Sequence, residues 1–181
     1  STSGGEILLW AGTGVYSGIG IKNNPQMNAG TGNVTVITKE LHNWDAANST
    51  LYITTTGKLT FATDANSPWT AALTWATTTS GNNVTLTSAL GRPVQINNFS
   101  SLSGLTIGAY DGFGSSFTAV NGQSLTISNQ IGINGPISAY GNIVTVNANL
   151  SSATSGAAIL LKASDRIEIS AGTAANAYRS L

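Results

Sequence analysis

Apolar and polar residues alternate with a period of two through most of this chain, in short runs closed by Gly, Asn, Ser or Pro. That period marks half-buried β-strands, and the closing residues are turn formers. The pattern predicts strands at 6–11, 18–22, 33–38, 50–54, 58–62 and 72–76. It continues with 83–87, 93–97, 104–108, 124–128, 142–147, 158–163 and 166–170, and with weaker runs at Ile131-Gly132-Ile133 and Ile137. Four runs share one form: Val84-Thr85-Leu86, Leu105-Thr106-Ile107, Leu125-Thr126-Ile127 and Val144-Thr145-Val146. Their starts are 21 (105 − 84), 20 (125 − 105) and 19 (144 − 125) residues apart.

Repetition at this period is the signature of a solenoid. The expectation is an all-β chain, a right-handed parallel β-helix (β-solenoid) of about 20 residues per coil. Apolar pairs would form inward columns and the threonines an outward ladder. About nine coils at roughly 4.8 Å each would give a body near 43 Å long. One solenoid segment is expected over 1–181, with less regular coils at 1–82, regular coils at 83–170 and a tail at 171–181. Only Lys39–Ala47 and the Ala-rich tail Ala171–Leu181 look helical, and the first reads equally as a loop leaving the solenoid.

Composition sharpens this. Charged residues make up 8% of the 181, against about a quarter in an ordinary soluble domain, while 41% are hydrophobic. Ser, Thr, Asn and Gly replace charge, and the richness in β-branched residues is unlike a disordered chain. A formal net charge of zero removes the electrostatic basis for binding nucleic acid or anionic lipid. There is no cysteine, which suits a large bacterial surface protein. No apolar run is long enough to cross a bilayer as a helix, so no membrane insertion is expected. The opening Ser1-Thr2-Ser3-Gly4-Gly5 lacks the regions of a signal peptide, so an exported parent would carry its signal upstream or have lost it. The end at Leu181 without a polar cap reads as a fragment boundary.

The run Leu125-Thr126-Ile127 through Gly132-Ile133-Asn134-Gly135-Pro136-Ile137, then Tyr140-Gly141-Asn142-Ile143-Val144-Thr145-Val146-Asn147-Ala148-Asn149-Leu150, resembles the repeats of filamentous-haemagglutinin-like bacterial adhesins. Ala158-Ile159-Leu160-Leu161-Lys162-Ala163-Ser164-Asp165-Arg166-Ile167-Glu168-Ile169 is similar to the rung that follows in such repeats, and Gly4-Gly5-Glu6-Ile7-Leu8-Leu9-Trp10-Ala11 resembles their openings. The likeness is best over 83–170. It implies a right-handed parallel β-helix, secretion through a dedicated outer-membrane partner, and a role in a long surface fibre.

Candidate chemistry is sparse. His42 is the sole histidine; with Asp45 it would be the only base of a Ser-His-Asp device, and no Gly-x-Ser-x-Gly elbow accompanies it. It reads as a loop histidine near Trp44, and zinc through imidazole or thiolate has no support. Asp64-Ala65-Asn66 and Tyr110-Asp111-Gly112 are weak oxygen-ligand loops whose acids more often bond their own backbone. The seven acids, Glu6, Glu40, Asp45, Asp64, Asp111, Asp165 and Glu168, are dispersed. A glycosidase wants two flanking one bond, and a lyase wants a cation, whereas Arg92 and Arg166 stand alone in the sequence. Glu168, between Ile167 and Ile169, reads as solvent-facing.

An ice-binding array needs Thr-x-Thr in every coil, but the second column here reads Thr87, Gly108, Ser128 and Asn147. Trp75 reads as core. Trp44 and Trp69 lie in turn-rich segments, where aromatics stack on sugar rings or pack against a solenoid's side. No catalytic, cofactor or metal residue is expected. The function expected is a non-catalytic segment of an extracellular bacterial surface fibre that spaces and displays. Its partners would be a glycan or protein on a host or neighbouring cell, met through Trp44 and Trp69. A carbohydrate-binding or carbohydrate-cleaving β-helix and a subunit polymerising end to end are the alternatives.

Overall fold

The structure, a computed structural model, describes residues 4–11, 18–43, 49–64, 72–86, 91–110, 117–118, 124–170 and 175–177. Among them there is no α-helix, and most strand pairs are parallel. Six times the chain returns to the same ladder. The first return holds β1 (Ile7–Trp10), β2 (Ile19–Ile21) and β3 (Gln26–Gly30). The second holds β4 (Val34–Ile37), β5 (Leu41–Asn43) and β6 (Leu51–Thr55). The third is β7 (Lys58–Asp64), β8 (Leu73–Trp75), β9 (Thr77–Ser80), β10 (Asn83–Leu86) and β11 (Val94–Asn97). A 3-10 turn, Phe99–Ser101, leads to β12 (Gly104–Tyr110), β13 (Phe117–Thr118), β14 (Leu125–Ile127) and β15 (Ile131–Ile133). The last two returns are β16 (Ile137–Val146) with β17 (Leu150–Ser152), and β18 (Ile159–Ile169) with β19 (Ala175–Ala177).

The first face is continuous. β1, β4, β7, β12, β16 and β18 pair in parallel, with Ile7, Val34, Leu59, Leu105, Ile137 and Ile159 in one column. A second inward column is Leu9, Val36, Phe61, Ile107, Ala139 and Leu161. The interior members are buried, because alternation sends every second side chain into the curl of the sheet. The second face is in two parts, β2 with β5, and β8, β14, β16 and β18. β16 and β18 are long enough to run from the first face onto the second, with a register irregularity at Gly141/Ile143 where they bend. On the third face β3, β6 and β11 are parallel, and so are β15, β17 and β19. Between the two sets lies an antiparallel hairpin: β9 pairs β10, and β10 pairs β11. The core includes Phe61, Trp75 and Phe99, with ring centroids 6.4 and 6.2 Å from Trp75.

Turns between the third and first faces bring the backbones close. A Cβ at Gly32 would collide with the carbonyl of Gly5, one at Gly57 with that of Gly32, and one at Gly135 with that of Ser103. These glycines sit two residues before the column residues Val34, Leu59 and Ile137, where the absence of a side chain lets successive returns approach. Polar groups tie the same corners. Asn33 donates from Nδ2 to Glu6 Oε1 (2.9 Å), and its Oδ1 accepts from the Lys58 N–H (2.9 Å), so one side chain spans three returns. Thr55 Oγ1 donates to the Gly32 carbonyl and accepts from the Gly57 N–H (2.8 Å).

Several sequence expectations are corrected. Ladder partners lie 27 (34 − 7), 25 (59 − 34), 46 (105 − 59), 32 (137 − 105) and 22 (159 − 137) residues apart, not about 20. Among the described residues six returns stand in place of nine, and five steps of about 4.8 Å make a stack of about 24 Å. Of the four triplets only Leu125–Ile127 and Val144–Val146 stack. Leu105–Ile107 belongs to the first face, and Val84–Leu86 lies in the antiparallel hairpin. An apolar-Thr-apolar triplet reports a half-buried strand, whichever face carries it. Within the helix-like stretch 39–47, Leu41–Asn43 is strand, and within the tail Ala175–Ala177 is strand, because each pairs with the return before it.

Thr126 and Thr145 are half-exposed as the alternation requires, but Thr60 and Thr106 are 5% and 2% exposed. Those two sit on the returns that carry the longest excursions. The outward ladder is therefore open only in part.

Candidate functional site

His42 lies on β5, half-exposed, with its imidazole against Gly18, where a Cβ would overlap the ring. Its Nδ1 is 3.5 Å from Glu40 Oε1. Asp45, Trp44 and Trp69 fall outside the described residues, as do Ala65, Asn66, Asp111 and Thr87. Asp64 closes β7. Trp75 is fully buried, as expected, between Phe61 and Phe99. Its Nε1–H meets no hydrogen-bond acceptor. Glu6 is exposed and engaged by Asn33. Among the described residues no three His, Cys, Asp or Glu side chains converge as a metal site would need.

The densest charge cluster stands on β18. Arg166, alone in the sequence reading, bridges two acids: its Nη1 meets Asp165 Oδ2 at 2.7 Å and its Nε donates to Glu168 Oε1 at 2.8 Å. Thr145 Oγ1 on β16 donates to Glu168 Oε2 at 3.0 Å. These donors, the guanidinium first and the hydroxyl second, hold the Glu168 carboxyl below its ordinary value of 4.5. A general acid needs the opposite shift. All three charged side chains are exposed, so the cluster is a surface network.

A shallow polar cleft opens on the third face, where the hairpin and the 3-10 turn meet β15 and β17. It comprises two adjoining cavities of about 220 and 270 Å³ that share Ser100 and Gly132. Asn134, Ser151 and Ser152 line one; Asn82, Phe99 and Gln130 line the other. No ionisable side chain is among the lining residues. Many of the polar groups are committed: Asn82 Oδ1 accepts from the Ser100 N–H (3.2 Å), and Ser152 Oγ donates to the Asn134 carbonyl (2.9 Å). Such a lining can hydrogen-bond a neutral polar molecule but offers nothing to move a proton. Sequence reading missed this cleft, because it arises where the parallel order of the third face is interrupted.

The remaining distinctive surfaces are the two edge strands. The large apolar side chains exposed among the described residues are Leu8 and Trp10 on β1, and Leu160, Ile167 and Ile169 on β18. Among the described residues β1 pairs only with β4, and β18 only with β16. Ile167 and Ile169 continue columns that are buried one return earlier at Val144 and Val146. Their exposure comes from position at the edge.

No family model, curated protein or solved structure matches the chain. No helix among the described residues is long and apolar enough to cross a membrane.

Proposed function

We propose that this chain is a segment of an extracellular bacterial surface fibre, wound as a right-handed parallel β-helix, whose work is spacing and display without catalysis. One observation carries the reading: the first face keeps its register through six returns while the chain between ladder positions varies from 22 (159 − 137) to 46 (105 − 59) residues. Constant pitch with variable excursions is what a display scaffold requires. Right-handed winding follows from the strong preference of parallel crossovers for that hand. The charge-poor, Thr- and Asn-rich composition and the adhesin-like runs support a place outside the cell. Contact with a glycan or protein on another surface is assigned to the excursions that carry Trp44 and Trp69. Acids that stand apart, except Asp165 and Glu168, which Arg166 ties into one exposed surface network, support the absence of catalysis.

The test is to insert a short peptide epitope between residues 65 and 71 and to assay polysaccharide cleavage in parallel. The expected result is an unchanged far-ultraviolet spectrum and melt, antibody recognition of the folded protein, and no release of reducing or unsaturated ends. Collapse of the fold on insertion, or turnover abolished by one Asp or Glu substitution, overturns the reading. The uncharged cleft at Ser100 and Gly132 favours a second reading, binding of a neutral glycan. Glycan-array signal lost on Gly132→Gln would support it.

A further inference from the structure

The two edge strands are complementary to each other. The outward column of the first face runs Leu8, Thr35, Thr60, Thr106, Ser138 and Leu160. Every internal member carries a hydroxyl and both end members are leucine. The inward columns end in Ile7 and Ile159 and in Leu9 and Leu161, each of which is only partly buried. Trp10 follows Leu9 at the end of β1, and Lys162 follows Leu161 on β18. The exposed large apolar side chains of the described residues all lie on these two strands.

We propose that β18 of one copy receives β1 of a second copy as the next parallel strand. This deepens the scaffold reading and rests on it. Continuing the ladder by one step sets Ile159 against Ile7, Leu160 against Leu8 and Leu161 against Leu9 of the incoming copy. Lys162 then takes the position beside Trp10 in the same register. The second half of β18, with the exposed Ile167 and Ile169, extends beyond this register onto the second face. Both leucines that break the hydroxyl column are covered, and main-chain hydrogen bonds supply the affinity. The contact joins two different surfaces and translates each copy along the stack, so it generates an open filament rather than a ring.

The test uses the 181-residue chain and two outward-facing variants, Leu8→Lys and Leu160→Lys. Wild type is expected to sediment as concentration-dependent oligomers and to show filaments by electron microscopy. Each variant alone is expected to lose all species above the monomer. Mixed, they are expected to form a one-to-one dimer and nothing larger, since each retains one intact end; that result also shows both variants to be folded. A second measurement uses Leu8→Cys/Leu160→Cys in this cysteine-free chain. Adjacent parallel strands put the two Cα atoms within disulfide range, so mild oxidation should link copies head to tail. A strictly monomeric wild type, or variants that polymerise like it, overturns the inference. If epitope-bearing chains stay folded while wild type stays monomeric, the scaffold reading stands and this one falls.

Discussion

Thr145 Oγ1 donates a 3.0 Å hydrogen bond to Glu168 Oε2 on the following return. The bond links two members of one outward column, Thr74, Thr126, Thr145 and Glu168, at the point where threonine gives way to an acid. Its effect shows in titration. Arg166 and then Thr145 favour the charged carboxylate, so the folded value lies below the ordinary 4.5. A depressed folded value means that the contribution to stability is present above the unfolded value and is lost as pH falls through the folded one. Carboxyl NMR should show Glu168 titrating below the ordinary carboxyl value of 4.5. Arg166→Gln should raise it more than Thr145→Val, and no upward movement in either variant would refute the network.

Ile127 is fully buried in the second face and Thr126 beside it is half-exposed. Ile127→Ala should cost about 2–5 kcal/mol, as truncation of a packed aliphatic side chain does. Thr126→Ala should stay within about 0.5 kcal/mol. Denaturant unfolding of both variants decides the point, and equal losses would mean that the strand is facing the wrong way.

The corner glycines make a sharper demand. Gly32→Ala, Gly57→Ala and Gly135→Ala each drive a methyl into the backbone carbonyl of the preceding return, so the stack must open. Each should cost about 1–3 kcal/mol, in the range of overpacked sites. Gly132→Ala is the control: its nearest neighbour is the Ser151 hydroxyl at 3.1 Å, which can rotate away. A melt in which Gly132→Ala is worse than Gly57→Ala would contradict the stacking at the corners.

Hydrogen exchange should grade along the stack. Amides of Leu105, Thr106 and Ile107 on β12 are flanked by β7 and β16 and should exchange last. β1 and β18 should exchange early in dilute solution. Uniform protection from β1 to β12 would show that the edges are covered.

Strand positions were legible because alternation with turn residues at both ends is a local signal. The faces were not, since Val84-Thr85-Leu86 in an antiparallel hairpin reads the same as Leu125-Thr126-Ile127 in a parallel stack. β3 and β5 escaped notice for a related reason. Gln26–Gly30 and Leu41–Asn43 carry few apolar residues and become strands by pairing with β6 and β2. The glycines at 32, 57 and 135 stood in the sequence throughout, yet their uneven separations hide their equivalence until the register is known. Arg166 looked isolated because its partners are recognised by geometry. The tryptophans chosen for glycan contact lie outside the described residues, whereas the polar cleft at Ser100 and Gly132 depends on an interruption that no local pattern announces.

Of the three faces, only the first threads all six returns without a break among the described residues. Its hydrogen bonds point along the stack, so tension between the two ends loads the returns in series. A segment built this way yields by unwinding, one return at a time, and each rupture pays out a different hidden length. The shortest spacing, 22 residues (159 − 137), frees about 75 Å of chain, and the longest, 46 (105 − 59), frees about 155 Å. The extra residues of the longer returns are therefore chain length that only unwinding would release.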